Sequence, residues 1–401
     1  MRIFQINAVP YGSTGRIMVQ IAQLLEQQGH TAMCTTGFTW QKCSYDKHFI
    51  TSNLPEKTWH MTMARLTGLN GCFSVVATRR LIHRLKEFRP DVIHMHNLHG
   101  WFVNLPMLFR YIQKQDIPVV WTFHDCWPIT GHCPYFDAVG CEKWKTGCHN
   151  CPQHRNYPQC LLDDSKGMWR RKKKWFTAPK NLTVVTPSQW LAGLVRQSYL
   201  KDHPVRVINN GIDLDIFSPT EGSFRQQYRC EDRFILLGVA FEWDYRKGLD
   251  VFIELSKRLP QQFQIVLVGT DEALDKTLPD SIISIHRTSS PQELAQIYTA
   301  ADLFVTPTRE DNYPTVNMEA LACGTPVLTF SSGGSPEIPD DTCGSVVATN
   351  DIASLEQEIL RIAKERPYTQ EACLCRAENF SKNDRYQEYI ALYQQLTETD
   401  N

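Results

Sequence analysis

Short apolar runs recur between amphipathic stretches in two successive series, and this pattern constrains the chain more than any other feature. In the first half the runs are RIFQINAV, DVIHMH, PVVWTFH, NLTVVTP and VRVINN. In the second they are FILLGVA, QIVLVG, SIISIH, DLFVTPT and TPVLTF. Between them lie segments of helical spacing, among them GRIMVQIAQLLEQQG, GLDVFIELSKRL and PQELAQIYTAAD. A strand without polar alternation is covered on both faces, and strands separated by helices form parallel sheets. The pattern predicts an α/β chain of two doubly wound, Rossmann-like domains. Its 401 residues are also too many for one ordinary core.

The seam falls at VINNGIDLDIFSP, 207–219, where a strand ends in Asn-Gly and a loop reaches Pro219. The expected division is an N-terminal domain over 1–208, a linker over 209–233, a C-terminal domain over 234–380 and a closing helix over 381–401 that returns to the first domain. Two such domains facing one another leave a cleft along the carboxyl ends of both sheets, where ligands bind in this architecture. Asp213-Leu214-Asp215 resembles a metal-holding Asp-x-Asp pair, but its place in the seam favours a turn with a solvated acid.

Charge is balanced, 42 basic against 43 acidic residues, so no nucleic-acid partner is implied. No apolar run approaches the ~20 residues of a membrane span. The start, MRIFQINAVPYG, has no charged leader or cleavage site and reads as a buried strand, so the cytoplasm is the expected compartment. The run MWRRKKKWF, 168–176, sets five basic residues between aromatics. It is either a solvated helix face or a patch for anionic lipid headgroups, worth ~1 kcal/mol per cation. The second reading would put the protein peripherally at the inner face of the cytoplasmic membrane.

Chemistry concentrates in TREDNYPTVNMEALACGTPVLTF, 308–330. The strand DLFVTPT delivers the chain to a loop, and Pro314 disfavours helix for Tyr313 while permitting one to begin at Thr315. Glu310 and Asp311 then hang in the loop, and Glu319 lies one turn inside the helix. The first turn, Thr315 and Val316, offers unpaired N–H groups and a positive dipole end suited to phosphate. Acids that grip hydroxyls beside such a helix start are the layout a nucleotide sugar needs. In WDYRKG, 243–248, Arg246 and Lys247 stand where cations can stabilise a departing diphosphate.

In YGSTGR, 11–16, the glycines permit close backbone approach to a ligand, with Gly15 and Arg16 the candidate contacts. The dinucleotide pattern G-x-G-x-x-G is absent, which argues against an oxidoreductase. TFHD, 122–125, ends a buried strand with His124 beside Asp125. His94, His96 and His99 end the strand before it and line an acceptor side or bind nothing. Of fourteen cysteines, Cys133, Cys141, Cys148 and Cys151 are spaced C-x7-C-x6-C-x2-C within an insert at 126–160. In a reducing compartment that spacing suits a closed, structural zinc site; disulfides or a plain thiol cluster are the alternatives. Cys126, His132, His149 and Cys160 are possible substitutes in the quartet.

Taken together, the glycine loop, the VINNGID seam, the RKG loop, the paired acids and the final helix resemble the retaining family-four glycosyltransferases of GT-B fold. The chain is most similar to bacterial exopolysaccharide enzymes of the colanic-acid type, which share a cysteine-rich insert after a T-x-H-D strand. The resemblance implies metal-independent transfer of a hexosyl group from a nucleoside-diphosphate sugar. The acceptor would be a lipid-linked oligosaccharide of exopolysaccharide or lipopolysaccharide biosynthesis. It implies that Asp311 contacts the sugar, Glu319 the ribose, Lys247 and Arg246 the diphosphate, the Gly15–Arg16 loop the donor phosphates, and His124 the donor sugar. Two positions depart from the family pattern: Asp311 stands where Glu is usual, and Glu242 where an Arg precedes the lysine by five. These departures support an alternative, a nucleotide-sugar-binding scaffold with weakened turnover.

Overall fold

The apolar runs become the strands of two sheets in which every pairing is parallel. In the computed structural model, which describes residues 1–398, the chain divides into two compact units. One is Met1–Asn209 together with the chain from Arg385; the other is Asn210–Asp384.

In the first unit the strands are β1 (Arg2–Ile6), β2 (Thr31–Thr36), β3 (His48–Ile50), β4 (Val92–Met95), β5 (Val119–Thr122), β6 (Leu182–Thr186) and β7 (Val205–Val207). They lie in the order β3-β2-β1-β4-β5-β6-β7, with Ile3 opposite Val92 and Val119 opposite Leu182. The chain winds outward from β1 to one edge, then restarts at β4 and winds to the other. The reversal opens a crevice at the carboxyl ends of β1 and β4. The loops after β1, β4 and β5, which carry the glycines and the histidines, therefore meet there.

The second unit holds β8 (Phe234–Val239), β9 (Phe263–Val268), β10 (Ile282–Ile285), β11 (Leu303–Thr306), β12 (Val327–Phe330) and β13 (Gly344–Val347). Their order is β10-β9-β8-β11-β12-β13, with Leu303 opposite Leu236. The reversal here lies between β8 and β11, the strands that lead into the WDYRKG and TREDNYP loops. Central strands such as FILLGV and FQIVLV are buried along nearly their whole length, as helices on both faces require.

The helix Lys382–Glu398 begins in the second unit and ends in the first. Its Tyr386, Tyr389, Ile390 and Tyr393, at helical spacing, pack with Ile3, Ile17, Ile21 and Val92. The helix Ser165–Phe176 accounts for the basic run. Met168, Trp169, Lys172 and Phe176 turn inward, while Arg170, Arg171, Lys173 and Lys174 are exposed. Two of the aromatics in that run thus belong to the core. Asp213 accepts a bond from the backbone of Asp215 (3.2 Å) and pairs with Lys382, so the seam acids form a turn. No helix among the described residues is long and apolar enough to cross a membrane.

Candidate active site

In the second unit the loop after β11 is fastened to the loop after β8 by a residue the sequence did not single out. Arg309 is buried, and its guanidinium makes a two-pronged contact with Asp250 (2.7 and 2.8 Å). It also donates to the Tyr245 carbonyl (2.5 Å) and Asn350 Oδ1 (2.5 Å), and lies 3.8 Å over the Tyr245 ring. The Arg246 carbonyl continues the seam, accepting from Arg309 N (2.8 Å) and from the Thr308 hydroxyl (3.2 Å). Gly248 permits the approach: its φ is +78°, and a Cβ there would stand 2.3 Å from the Pro307 carbonyl oxygen.

This stitching brings two of the expected residues into contact. Lys247 Nζ donates to Asp311 Oδ2 at 2.5 Å, both side chains being about a fifth exposed. Arg246 reaches the Glu310 carbonyl (3.3 Å) and Asp244 (3.7 Å), while Glu310 itself is buried. The helix Thr315–Ala322 starts directly after Pro314, with no side-chain cap and no acid in its first turn, and Thr315 and Val316 are half-buried. Glu319 lies inside that helix, buried, and accepts a bond from Tyr298 Oη (3.1 Å). Burial and the Glu319 carboxylate push the Tyr298 hydroxyl far above its ordinary pKa, so it stays a donor. Beside the acids, the turn after β12 is pressed close: Gly333 (φ +56°) leaves no room for a Cβ against the Asp311 carbonyl. A Gly-Gly pair following a strand was the signal for this turn.

In the first unit, Asn7 ties the two innermost loops together. It donates to Val9 O (3.0 Å) and Thr14 Oγ1 (3.3 Å) and accepts from Asn97 N (3.2 Å). Gly15 is buried where a Cβ would meet the Pro10 backbone at 2.3 Å; Arg16 is exposed beside it.

The histidines form a proton-ordered chain. Gln5 Nε2 donates to Met18 O (2.9 Å), which leaves Gln5 Oε1 to accept from His96 Nε2 (3.2 Å). A neutral His96 then accepts at Nδ1 from His124 Nε2 (3.0 Å), and the lone pair of His124 sits on Nδ1. Burial supports the neutral forms. It pushes His124 down to about 4 against the opposing pull of Asp125, and holds His94 and His96 well below the ordinary value. His94 is taken up by structure, between Thr122 Oγ1 (2.8 Å) and Tyr393 Oη (2.7 Å). His99 is different. It meets Asp125 at 2.9 Å through Nε2 and, through Nδ1, the hydroxyl of the half-exposed Tyr157 at 2.9 Å. Burial alone would raise the Asp125 carboxyl; the His99 charge, its hydrogen bond and the Trp127 N–H outweigh that and hold it low. Tyr157 belongs to the cysteine insert and carried no signal in the sequence.

Cys133, Cys141, Cys148 and Cys151 line one cavity of ≈ 20 Å³, and all are free thiols. As their side chains are placed, no three His, Cys, Asp or Glu residues among those described stand in metal-ligand geometry. Cys133 and Cys151 instead hydrogen-bond each other, and Cys148 accepts from Gly131 N (3.2 Å). A second cavity, ≈ 500 Å³, is lined by Arg225, Arg233, Phe234, Gln262 and Asp302. These residues cluster at or just before the amino ends of β8, β9 and β11, the end opposite to the site, and Asp302 is fully engaged with Arg225 and Arg366 (2.6 and 2.7 Å). That cavity is not the candidate site.

Known proteins resemble this chain in sequence and in fold. The family described as Glycosyltransferase Family 4 matches residues 14–216, and Glycosyl transferases group 1 matches 231–365. The chain belongs to glycosyltransferase family 4. A putative colanic acid biosynthesis glycosyl transferase of Escherichia coli K12, WcaC, is 27% identical over 323 residues, 77% of each chain. Among solved structures, sucrose-phosphate synthase from Thermosynechococcus elongatus superposes with a TM-score of 0.74 at 19% identity over 99% of both chains. Anabaena HepE in complex with UDP-glucose gives a TM-score of 0.67 at 15% identity, covering 100% of this chain and 99% of its own. These likenesses establish the GT-B fold.

Proposed function

We propose that this glycosyltransferase moves a hexosyl group, with retention, from a nucleoside-diphosphate sugar to a lipid-linked oligosaccharide of surface polysaccharide biosynthesis. The observation that carries the proposal is the Lys247–Asp311 pair, held at the switch point of the second sheet beside an uncapped helix start. The UDP-glucose bound to HepE and the colanic-acid role named for WcaC support the donor and acceptor classes.

In this reading the ion pair is a placeholder. When the donor binds, the Lys247 ammonium turns to the diphosphate, and the Asp311 carboxylate is released to accept from the sugar hydroxyls. Glu319, oriented by Tyr298, accepts from the ribose hydroxyls. The first-turn N–H groups at Thr315 and Val316 and the Arg246 guanidinium share the phosphate charge. As the anomeric C–O bond to phosphate breaks, negative charge grows on the leaving oxygen, and fixed cations there lower the barrier. The acceptor oxygen bonds to the anomeric carbon on the same face, and its proton passes to the departing phosphate oxygen. The transfer needs no catalytic metal because Lys247 and Arg246 supply the positive charge. His124 offers its Nδ1 lone pair to a sugar hydroxyl. Tyr157, oriented through His99 by Asp125, binds the acceptor. The exposed cations Arg170, Arg171, Lys173 and Lys174 support contact with anionic headgroups at the inner membrane face, to be tested by co-sedimentation with anionic against neutral vesicles.

The test is nucleoside-diphosphate release from a panel of UDP- and GDP-sugars, with wild type and Glu319→Ala. One donor should turn over in the wild type, the product should keep the donor's anomeric configuration, and Glu319→Ala should be at least tenfold slower. Tight donor binding without release from any sugar or acceptor would replace the proposal with the scaffold reading, and an inverted product would refute retention.

A further inference from the structure

The cysteine insert is the part of the first unit that the reaction leaves unexplained. Its only regular pieces are two single turns, Trp127–Ile129 and Lys143–Lys145, in a stretch of 35 residues over 126–160. So long an irregular segment needs a staple other than a ladder of backbone bonds. Its four clustered thiols come from separate turns, yet they surround one cavity together with His132, Trp144 and His149. At ≈ 20 Å³ the cavity is too small for an organic ligand and large enough for one ion. The Gly131 N–H aimed at Cys148 Sγ is the kind of donor that stabilises a ligating thiolate.

A second observation points the same way. Lys172 is completely buried, and its ammonium donates to the carbonyls of Trp127 (2.5 Å) and Thr130 (2.9 Å) and lies 3.5 Å over the Trp127 ring. Among the described residues no carboxylate stands within 4.0 Å of it. A buried cation with no carboxylate in direct contact is costly. Thr130, one of its two acceptors, also lines the thiol cavity.

We propose that Cys133, Cys141, Cys148 and Cys151 turn from their present placement, in which no three stand in ligand geometry, to bind one zinc ion in their shared cavity as four thiolates, with Lys172 as the buried counter-charge. Binding releases four thiol protons to solvent, and the resulting centre carries two negative charges that the ammonium offsets. With no open coordination position the ion is structural. It fixes the insert, and with it the Tyr157 hydroxyl against His99. The proposal does not depend on the donor or acceptor.

The experiment is the metal content of full-length protein purified under reducing conditions, followed by replacement with cobalt. One zinc per chain is expected, and the cobalt form should show sulfur-to-metal charge-transfer bands with tetrahedral d–d absorption. Cys148→Ser and Cys151→Ser should each lose most of the zinc, while Cys43→Ser keeps it. Folded, reduced wild-type protein without zinc and without cobalt bands would overturn the proposal. So would full zinc in both ligand variants, or a thiol titration showing two disulfides among the four. If the ligand variants fail to fold, the wild-type cobalt spectrum decides.

Discussion

Replacing Arg309 by Gln removes the fastener between the two loops that carry Lys247 and Asp311. The cost follows from its contacts. The pair with Asp250 is discounted because that carboxylate is 46% exposed, which leaves about 1 kcal/mol. The bonds to the Tyr245 carbonyl and to Asn350 are made by a buried cation and contribute about 1.5 kcal/mol each. Stacking on the Tyr245 ring adds about 1 kcal/mol. The total is about 5 kcal/mol, and a glutamine amide that regains one bond brings the expected loss to roughly 3–4 kcal/mol. Urea unfolding of the full chain reads this as a lower midpoint for the transition of the second unit. Donor affinity should fall at least tenfold, about 1.4 kcal/mol, because Lys247 loses its fixed position. Arg309→Lys keeps the charge without the planar fork and should recover only part of both. If Arg309→Gln unfolds at the wild-type midpoint and binds donor as tightly, other contacts hold the loops together and the account of how Lys247 is positioned is wrong.

Three further predictions rest on burial and on particular contacts. Burial holds His60 at about 3 and His124 at about 4, below the ordinary value of 6.5, and lowers His94 and His96 as well. The unfolded chain therefore takes up these protons first. Stability is complete above the unfolded pKa and is lost as pH falls from about 6.5 toward 4, by roughly 1.4 kcal/mol per pH unit for each histidine. A urea midpoint that stays flat between pH 7 and pH 4.5 would contradict this. Gly248→Ala forces a side chain into a left-handed residue against Pro307 and should cost about 2–3 kcal/mol by thermal unfolding, with donor binding weakened. Tyr298→Phe takes away the hydroxyl that orients Glu319 and should raise the donor KM several-fold while unfolding shifts by only about 1 kcal/mol; an unchanged KM would remove Glu319 from the donor site.

The architecture was legible because a parallel sheet buried on both faces leaves continuous apolar runs such as FILLGV. The strands that escaped notice, β2, β3 and β13, are short or partly polar: TAMCTT, HFI and GSVV. At the site, sequence spacing picked out Lys247 and Asp311, which the fold joins across 64 positions. It could not supply Arg309, whose meaning depends on Asp250, Tyr245 and Asn350 arriving from other elements. Nor could it sort the histidines. His94, His96 and His99 read alike in HMHNLH, and only the packing of Tyr393, Gln5 and Tyr157 gives each a different task. In the basic run the sequence did not show which positions turn inward, since helical phase hides Trp169, Lys172 and Phe176 while leaving Arg170, Arg171, Lys173 and Lys174 in water.

The most direct test of the central claim, that Lys247 holds the diphosphate and Glu319 the ribose of one nucleotide sugar, is calorimetric titration of the best-binding UDP- or GDP-sugar. Wild type, Lys247→Ala, Glu319→Ala and, as a control at the far end of the sheet, Arg225→Ala would be compared. The account predicts that both site variants weaken binding tenfold or more, about 1.4 kcal/mol each, while Arg225→Ala leaves the affinity unchanged. Wild-type affinity in either site variant would contradict it.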